Sequence, residues 1–445
     1  MASYDFERLP DRCNTGSIKW DRYRDRPILP MWVADMDFRS PPEVENALKE
    51  RVAHGVYGYT NATKEAIDAV CQYMSAIHGV RVSEDWLLWT PGLVPALNTA
   101  ARAFCGSGDS VLTTVPIYPP FLTAPRYQNR ELITVPLENR DGKYFYDWDA
   151  LEASVTPMTR VFFLCNPHNP VGRVWSLEEL KQVVQFCKKN DLILVSDEIH
   201  CDLILDDRRH HHTALNVDPW VHENGVTLLS PSKTYNLCGL ACSFVIIPDH
   251  RLRKLFHRSM RGLFNELNCL GYAACAAAYQ SGAAWREELI GILRRNYTEV
   301  LEFTQAEMPK IRVTPLEATY LAWLDIRSLQ LHHPRTHFEK HGVGLSDGTE
   351  FDSSRDRDPL SFQVGDGKVI PGFNDNVIGM EVGESKTFTI PHTEAYGPTN
   401  EEAVKQIAKT QFPEDFEIFC PWSSKNSSYV KCSGGLCPSI LHIRS

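Results

Sequence analysis

No apolar run in the sequence reaches the ~18 residues needed to cross a bilayer, so no membrane-spanning segment is expected. The opening residues, Met1-Ala2-Ser3-Tyr4-Asp5-Phe6, lack the apolar core of a secretion signal. Cysteine is not scarce, at 13 residues, but it shows no paired spacing. That pattern argues against a disulfide framework and predicts reduced thiols and a cytoplasmic protein. An excess of base is also missing. The net charge is −10, and it is unevenly placed. Residues 346–418 hold 15 acidic and 6 basic residues, and residues 419–445 hold three bases and no acid, which leaves −4 for the first 345. A nearly neutral body is a poor nucleic-acid surface. There is no internal repeat.

What is present is a rhythm. After an arm rich in Trp, Pro, Arg and Asp (1–45), apolar residues recur at helical spacing from about 46 to 82. From 86 to 250 short β-type runs alternate with helical stretches, among them 95–104 and 176–189. This predicts an α/β fold, a parallel sheet with helices on both faces. Residues 251–310 read as mostly helical, and 311–326 alternate like strands. Beyond about 346, Gly, Asp and short β-runs predict a small all-β module. From about Ile418 the chain is rich in Ser and Cys and is expected to be irregular. The organisation that follows is an arm (1–45), a large domain (46–285), a smaller and shortened domain (286–350), a β module (351–417) and a tail (418–445).

Three polar residues follow three apolar runs. Asn169 lies in Asn166-Pro167-His168-Asn169-Pro170 after Val161-Phe162-Phe163-Leu164. Asp197 follows Leu192-Ile193-Leu194-Val195. Lys233 lies in Ser230-Pro231-Ser232-Lys233-Thr234 after Val226-Thr227-Leu228-Leu229. In open α/β sheets ligands bind at the carboxyl ends of strands. An amide, a carboxylate and a lysine placed there suit pyridoxal 5'-phosphate (PLP). A lysine holds the aldehyde, and an acid keeps the pyridine nitrogen protonated. Phosphate needs backbone N–H groups at a helix start plus hydroxyls. Gly92, Leu93 and Val94 open the stretch 95–104, and Ser230 and Ser232 offer hydroxyls. Tyr118 is a candidate for the ring face and Asn169 for the phenolic oxygen. Each has a plainer alternative: Lys233 a turn lysine, Asp197 a helix cap, Gly92 an ordinary turn, Tyr118 a core tyrosine, Asn169 a turn former. No metal site is expected. His210-His211-His212 sits in a polar loop with no second ligand cluster spaced to join it, and Cys238, Cys242, Cys269 and Cys275 are expected in the core.

These motifs, with Met31-Trp32-Val33-Ala34-Asp35-Met36-Asp37-Phe38 and Tyr57-Gly58-Tyr59, resemble fold-type I PLP enzymes. More narrowly they resemble the cystathionine β-lyase (C–S β-lyase) branch of the class I/II aminotransferases, over residues 1 to about 351. The resemblance implies that Lys233 holds the cofactor and acts as the Cα base, and that Asp197 pairs with the ring nitrogen. It places Asn169 at the phenolic oxygen and Tyr118 on the ring face. It also implies a homodimer in which Tyr59 reaches the neighbouring subunit's phosphate, and β-elimination of sulfur amino acids to thiol, pyruvate and ammonia. An aminotransferase on the same scaffold is the nearest alternative. Two departures stand out. Residue 241 is Ala where many relatives carry a base, and the small domain stops short of the Arg that grips the substrate carboxylate, which implies weakened turnover.

The segment from Asp347-Gly348-Thr349-Glu350-Phe351 to Ala395-Tyr396-Gly397-Pro398 resembles FKBP-type prolyl isomerases of the bacterial flap-insert kind, over about 346–417. Its implied proline pocket is Phe351, Asp352, Phe362, Val369, Ile370, Phe373 and Tyr396. The family's opening and closing strands have no counterpart here, so poor folding of this part is expected. The junction suits both families and reads as a chimeric gene.

Overall fold

The structure is a computed structural model and describes residues 4–264, 266–346, 404–408 and 429–433. The chain divides into two units, Met1–Asp352 and Ser353–Ser445.

The first unit is built on a seven-stranded sheet. Its strands in chain order are β1 (Leu87–Thr90), β2 (Ser110–Val115), β3 (Glu131–Pro136), β4 (Thr159–Cys165), β5 (Ile193–Asp197), β6 (Gly225–Leu229) and β7 (Ser243–Ile246). In space the order is β1-β7-β6-β5-β4-β2-β3. β7 runs antiparallel to β1 and β6, and the other neighbours are parallel. The central strands are apolar almost without interruption because helices cover both faces. Side chains alternate between those faces. Phe162 and Leu164 pack with Leu180, Val183 and Val184, whereas Val161 and Phe163 pack with Leu97, Ala100 and Phe104.

Helices α1 (Pro42–Ala53), α2 (Lys64–His78), α3 (Leu93–Phe104), α4 (Leu177–Lys189), α5 (His250–Met260), α6 (Cys269–Ser281) and α7 (Ala283–Glu307) carry most of that cover. Their ends follow local chemistry. Thr63 Oγ1 accepts from the Ala66 amide to start α2, and Gly79, at φ 67°, ends it. Ser176 and Glu179 form a capping box for α4. α1 begins at Pro42, ahead of the expected 46, because a proline at the first helical position sacrifices no hydrogen bond. α3 begins at Leu93, two residues early, for the related reason that Pro95 falls in the first turn. α6 packs across α1 and α2. It also comes so close to the turn at 238–242 that a Cβ on Gly271 would lie 2.8 Å from the Leu240 carbonyl oxygen.

Beyond α7 the expected run of strands at 311–326 is not continuous. Ala318 makes a single antiparallel bridge to Ile204, and on either side of it Arg312–Val313 pairs with Leu324–Asp325. The stretch between them is pulled away from strand geometry by Glu317. This buried carboxylate accepts from the Val174 amide at 2.8 Å and meets Arg209 at 3.0 Å and Arg173 at 3.1 Å. Helix Pro334–Lys340 follows, and Val343–Gly344 then pairs in parallel with Leu29–Pro30 of the arm. Nearby, the Tyr23 hydroxyl donates to Glu339 at 2.8 Å.

In the second unit, Val404–Ala408 pairs antiparallel with Tyr429–Ser433. That second strand falls inside the stretch expected to be irregular, and its Tyr-Val-Lys-Cys sequence favours extended backbone. Among the described residues no helix is long and apolar enough to cross a membrane.

Candidate active site

β4, β5 and β6 are adjacent and parallel, so their carboxyl ends open on one side. Cys165 is level with Asp197, and Asp197 with Leu228. The main chain ties these ends together: the Asn166 amide donates to Asp197 O and the Glu198 amide to Leu228 O, both at 2.9 Å. Tyr118, just past β2, donates its amide to Asn169 O at 3.0 Å. The asparagine, acid, lysine and tyrosine motifs, up to 115 residues apart in sequence, are therefore grouped at one edge of the sheet.

Asp197 is 4% exposed, and Oδ1 accepts from the Ile199 amide at 3.1 Å. Burial pushes its carboxyl up to about 7, against the pull of the Ile199 amide and the Lys233 ammonium. Residues after Asp197 form turns rather than a helix, so the carboxylate does not cap one. Half-buried Lys233 donates from Nζ to the Ala34 carbonyl at 2.7 Å, which brings the N-terminal arm to the strand ends. Tyr118 is 37% exposed and so is not a core tyrosine, yet its hydroxyl is pushed up to about 12, by desolvation first and the Asp197 charge second, and stays protonated. Asn169 is buried, and its amide donates to Cys165 Sγ.

At the start of α3, Gly92 precedes Leu93 and Val94 with no side-chain cap, so the first-turn amides remain open to an acceptor. Ser230 is committed elsewhere: Oγ donates to Cys242 O at 2.8 Å and accepts from the Ser232 amide. Tyr59 is fully exposed. It lies between α1 and α2, near exposed Val56 and Tyr57, and is not part of this chain's own strand-end cluster. The pocket residues Phe351, Asp352, Phe362, Val369, Ile370, Phe373 and Tyr396 lie outside the described residues. Cys242, Cys269 and Cys275 are buried as expected, but Cys238 is exposed because it opens the short turn Cys238–Leu240.

Three features near the site were not assigned from sequence. His200 is buried, feels the Lys233 charge and is pushed down to about 3, chiefly by burial, so it is neutral. Its Nδ1 has no hydrogen-bond partner among the described residues. Its position three residues after Asp197 was the available signal. Tyr320 sets its ring edge-on to His200 at 6.1 Å. Its hydroxyl is raised chiefly by burial, with the Asp35 carboxylate acting in the same direction, which places it among the site residues. The preceding Thr319 holds φ at 74°, a left-handed conformation unusual for a β-branched residue. Behind the site, burial opposes charge on Glu198. His211 at 3.0 Å and the Ala214 amide at 2.8 Å outweigh it and hold the carboxyl below its usual range.

The donor set fits PLP. A buried carboxylate whose charge is opposed by burial is the partner a cationic ring nitrogen would stabilise in ionised form, a lysine lies close enough to act on it electrostatically, and open amides sit at a helix start. The fold and these groups define the fold-type I class of PLP-dependent transferases.

Residues 28–357 match the family described as aminotransferase class I and II, and the chain belongs to that family. Residues 336–413 match FKBP-type peptidyl-prolyl cis-trans isomerase. The chain is 38% identical over 356 residues to cystathionine beta-lyase PatB of Bacillus subtilis (strain 168), covering 78% of this chain and 92% of that protein. Among solved structures it resembles cystalysin from Treponema denticola, which contains a PLP cofactor, with TM-score 0.74, 34% identity, and 78% and 90% of the two chains covered. It also resembles the PLP-bound C–S lyase from Staphylococcus hominis, with TM-score 0.73, 32% identity, and 78% and 90% covered.

Proposed function

We propose that this protein is a PLP-dependent carbon–sulfur β-lyase that converts sulfur amino acids such as cystathionine to a thiol, pyruvate and ammonia. The observation that carries the reading is the grouping of Lys233, buried Asp197 and Asn169 at adjacent strand ends, in a chain similar over most of its length to a cystathionine β-lyase. When bound, PLP supplies a covalent handle for the substrate amine and a cationic ring that takes up the electrons released at Cα.

The protein's own residues do the rest. Asp197 would hold the proton on the ring nitrogen. Lys233 would hold the aldehyde and would take the substrate's Cα proton at Nζ. Asn169 would donate to the phenolic oxygen and Tyr118 would cover the ring. The amides of Leu93 and Val94, beside Gly92, would hold the phosphate with the Ser232 hydroxyl. Ser230 contributes by fixing the turn, since its proton is already donated to Cys242 O. Tyr59 serves the phosphate of a second copy, which accounts for its full exposure within one chain. We place this homodimer in the cytoplasm.

The test is steady-state kinetics with cystathionine on the full chain. Pyruvate release from a yellow protein is expected, with colour and turnover lost in Lys233→Ala. Turnover should fall by at least about 10⁴-fold, since both anchor and base are removed. A colourless wild type, or amine transfer to a keto acid without pyruvate release, overturns the lyase reading; the second outcome identifies an aminotransferase. The match at 336–413 favours prolyl-peptide isomerisation as a second reading for the C-terminal part. It is lost if the full chain does not accelerate isomerisation of a proline peptide.

A further inference from the structure

A second polar cluster lies apart from the cofactor residues. α2 ends at His78, and the turn after His200 supplies Cys201 and Asp202. His78 Nε2 is 3.3 Å from Asp202 Oδ1 and 3.8 Å from Cys201 Sγ. The three donor atoms all lie within 4.8 Å of one another. The His78 and Asp202 side chains are 4% and 2% exposed, and Cys201 is buried. Among the described residues Asp202 Oδ1 has no hydrogen bond of close geometry, although His78, Tyr73 and Cys201 all act on the carboxylate. A charge-assisted N–H···O bond would close to ~2.7–2.9 Å. Around tetrahedral zinc, metal–ligand bonds of ~2.0 Å to N and O and ~2.3 Å to S put N and O about 3.3 Å apart and N and S about 3.5 Å apart. The N–O spacing is thus that of two ligands around a shared cation, and the N–S spacing of 3.8 Å lies slightly outside it. The mixed imidazole, thiolate and carboxylate set is one that zinc accepts.

We propose that His78, Cys201 and Asp202 bind one divalent cation of the zinc class, with water in the fourth position. On binding, the S–H bond of Cys201 breaks, its electron pair forms the metal–sulfur bond, and the proton leaves to solvent. The added charge is compensated by the Cys201 thiolate and by the buried carboxylates of Asp202 and Glu198. Arg286 is the competing cation, with Nη1 3.8 Å from Asp202 Oδ1. The metal ties the end of α2 to the segment that directly follows Asp197 and His200, and so braces the floor of the cofactor pocket from behind.

The test uses the full-length, cofactor-loaded protein, stripped with a chelator and titrated with Co²⁺ and then Zn²⁺. One equivalent of Co²⁺ is expected to give the intense d–d bands of a tetrahedral site, on the long-wavelength side of the cofactor colour. Zn²⁺ should erase those bands and raise Tm. Cys201→Ser should weaken and shift the bands, and His78→Gln should abolish stoichiometric binding, with folding of each variant followed by far-UV circular dichroism. A His210→Ala, His212→Ala variant should bind like the wild type. Absence of the bands in the wild type, or unchanged bands in both Cys201→Ser and His78→Gln, overturns the proposal. The cluster is then an ion pair of Asp202 with His78 and Arg286.

Discussion

Asp197, Asn169 and Ser230 sit at strand ends with no more than 8% of their surface exposed, whereas Tyr59 stands fully open beside Val56 and Tyr57 at 60% and 58%. The first group belongs to a wall the chain completes by itself: parallel strands fix the spacing, main-chain bonds lock neighbouring ends, and burial sets the charge. The second is held in one chain only by local contacts: the Tyr57 hydroxyl donates to Val52 O at 3.0 Å and Arg51 donates to Val56 O at 2.9 Å. A polar strand-end residue is held by the sheet whatever happens elsewhere, while an exposed aromatic segment leaves most of its surface open. Disturbing the wall should therefore damage chemistry directly. Disturbing the open segment should damage it only through assembly or cofactor affinity.

The largest effect that would separate them is expected from Asp197→Ala. Loss of the ring-nitrogen partner should lower kcat by about 10²–10⁴-fold with the fold retained, measured as pyruvate release against circular dichroism. A loss below tenfold would break the comparison. Tyr59→Phe should be milder. Losing one hydrogen bond to a charged phosphate weakens cofactor affinity by about 10–100-fold, while Tm of the cofactor-free protein stays unchanged because the side chain touches little of its own chain. A large drop in that Tm would show that the segment is structural in the single chain.

The smallest expected effect is on stability. Burial raises Asp197 from the ordinary carboxylate range to about 7, so the native state keeps a proton that the unfolded chain gives up. Its contribution is full at low pH, below the unfolded carboxylate pKa, and is lost as pH rises through about 7. Urea unfolding of the cofactor-free wild type should therefore show stability falling with pH across that window, by at most about 1.4 kcal/mol per pH unit. Asp197→Asn should flatten the dependence, and equal slopes in the two proteins would count against a buried acid whose charge is opposed by desolvation.

The wall was legible in the sequence because each of its parts is local. Val161-Phe162-Phe163-Leu164 announces a strand covered on both faces, and the polar residue that follows must lie at its end. The same logic placed Asp197 and Lys233. Ala34, His200 and Tyr320 were not assigned because their relevance is created by distant packing. The Ala34 carbonyl reaches Lys233 across the fold, and Tyr320 arrives through a loop that Glu317 holds with cations from three separate segments. Likewise His78 and Cys201 are 123 residues apart and meet only because α2 ends beside the turn after β5. Alternation along 311–326 suggested strands, but an alternating pattern cannot reveal a buried carboxylate that draws the backbone elsewhere.

The bond from Lys233 to Ala34 spans 199 residues. Contacts so distant in sequence carry a high loop-closure entropy, so they form only when most of the chain between them is already ordered. The lysine is thus also a checkpoint: the arm reaches it only over a finished sheet, so the bond at Nζ marks an assembled chain before any cofactor would take that nitrogen.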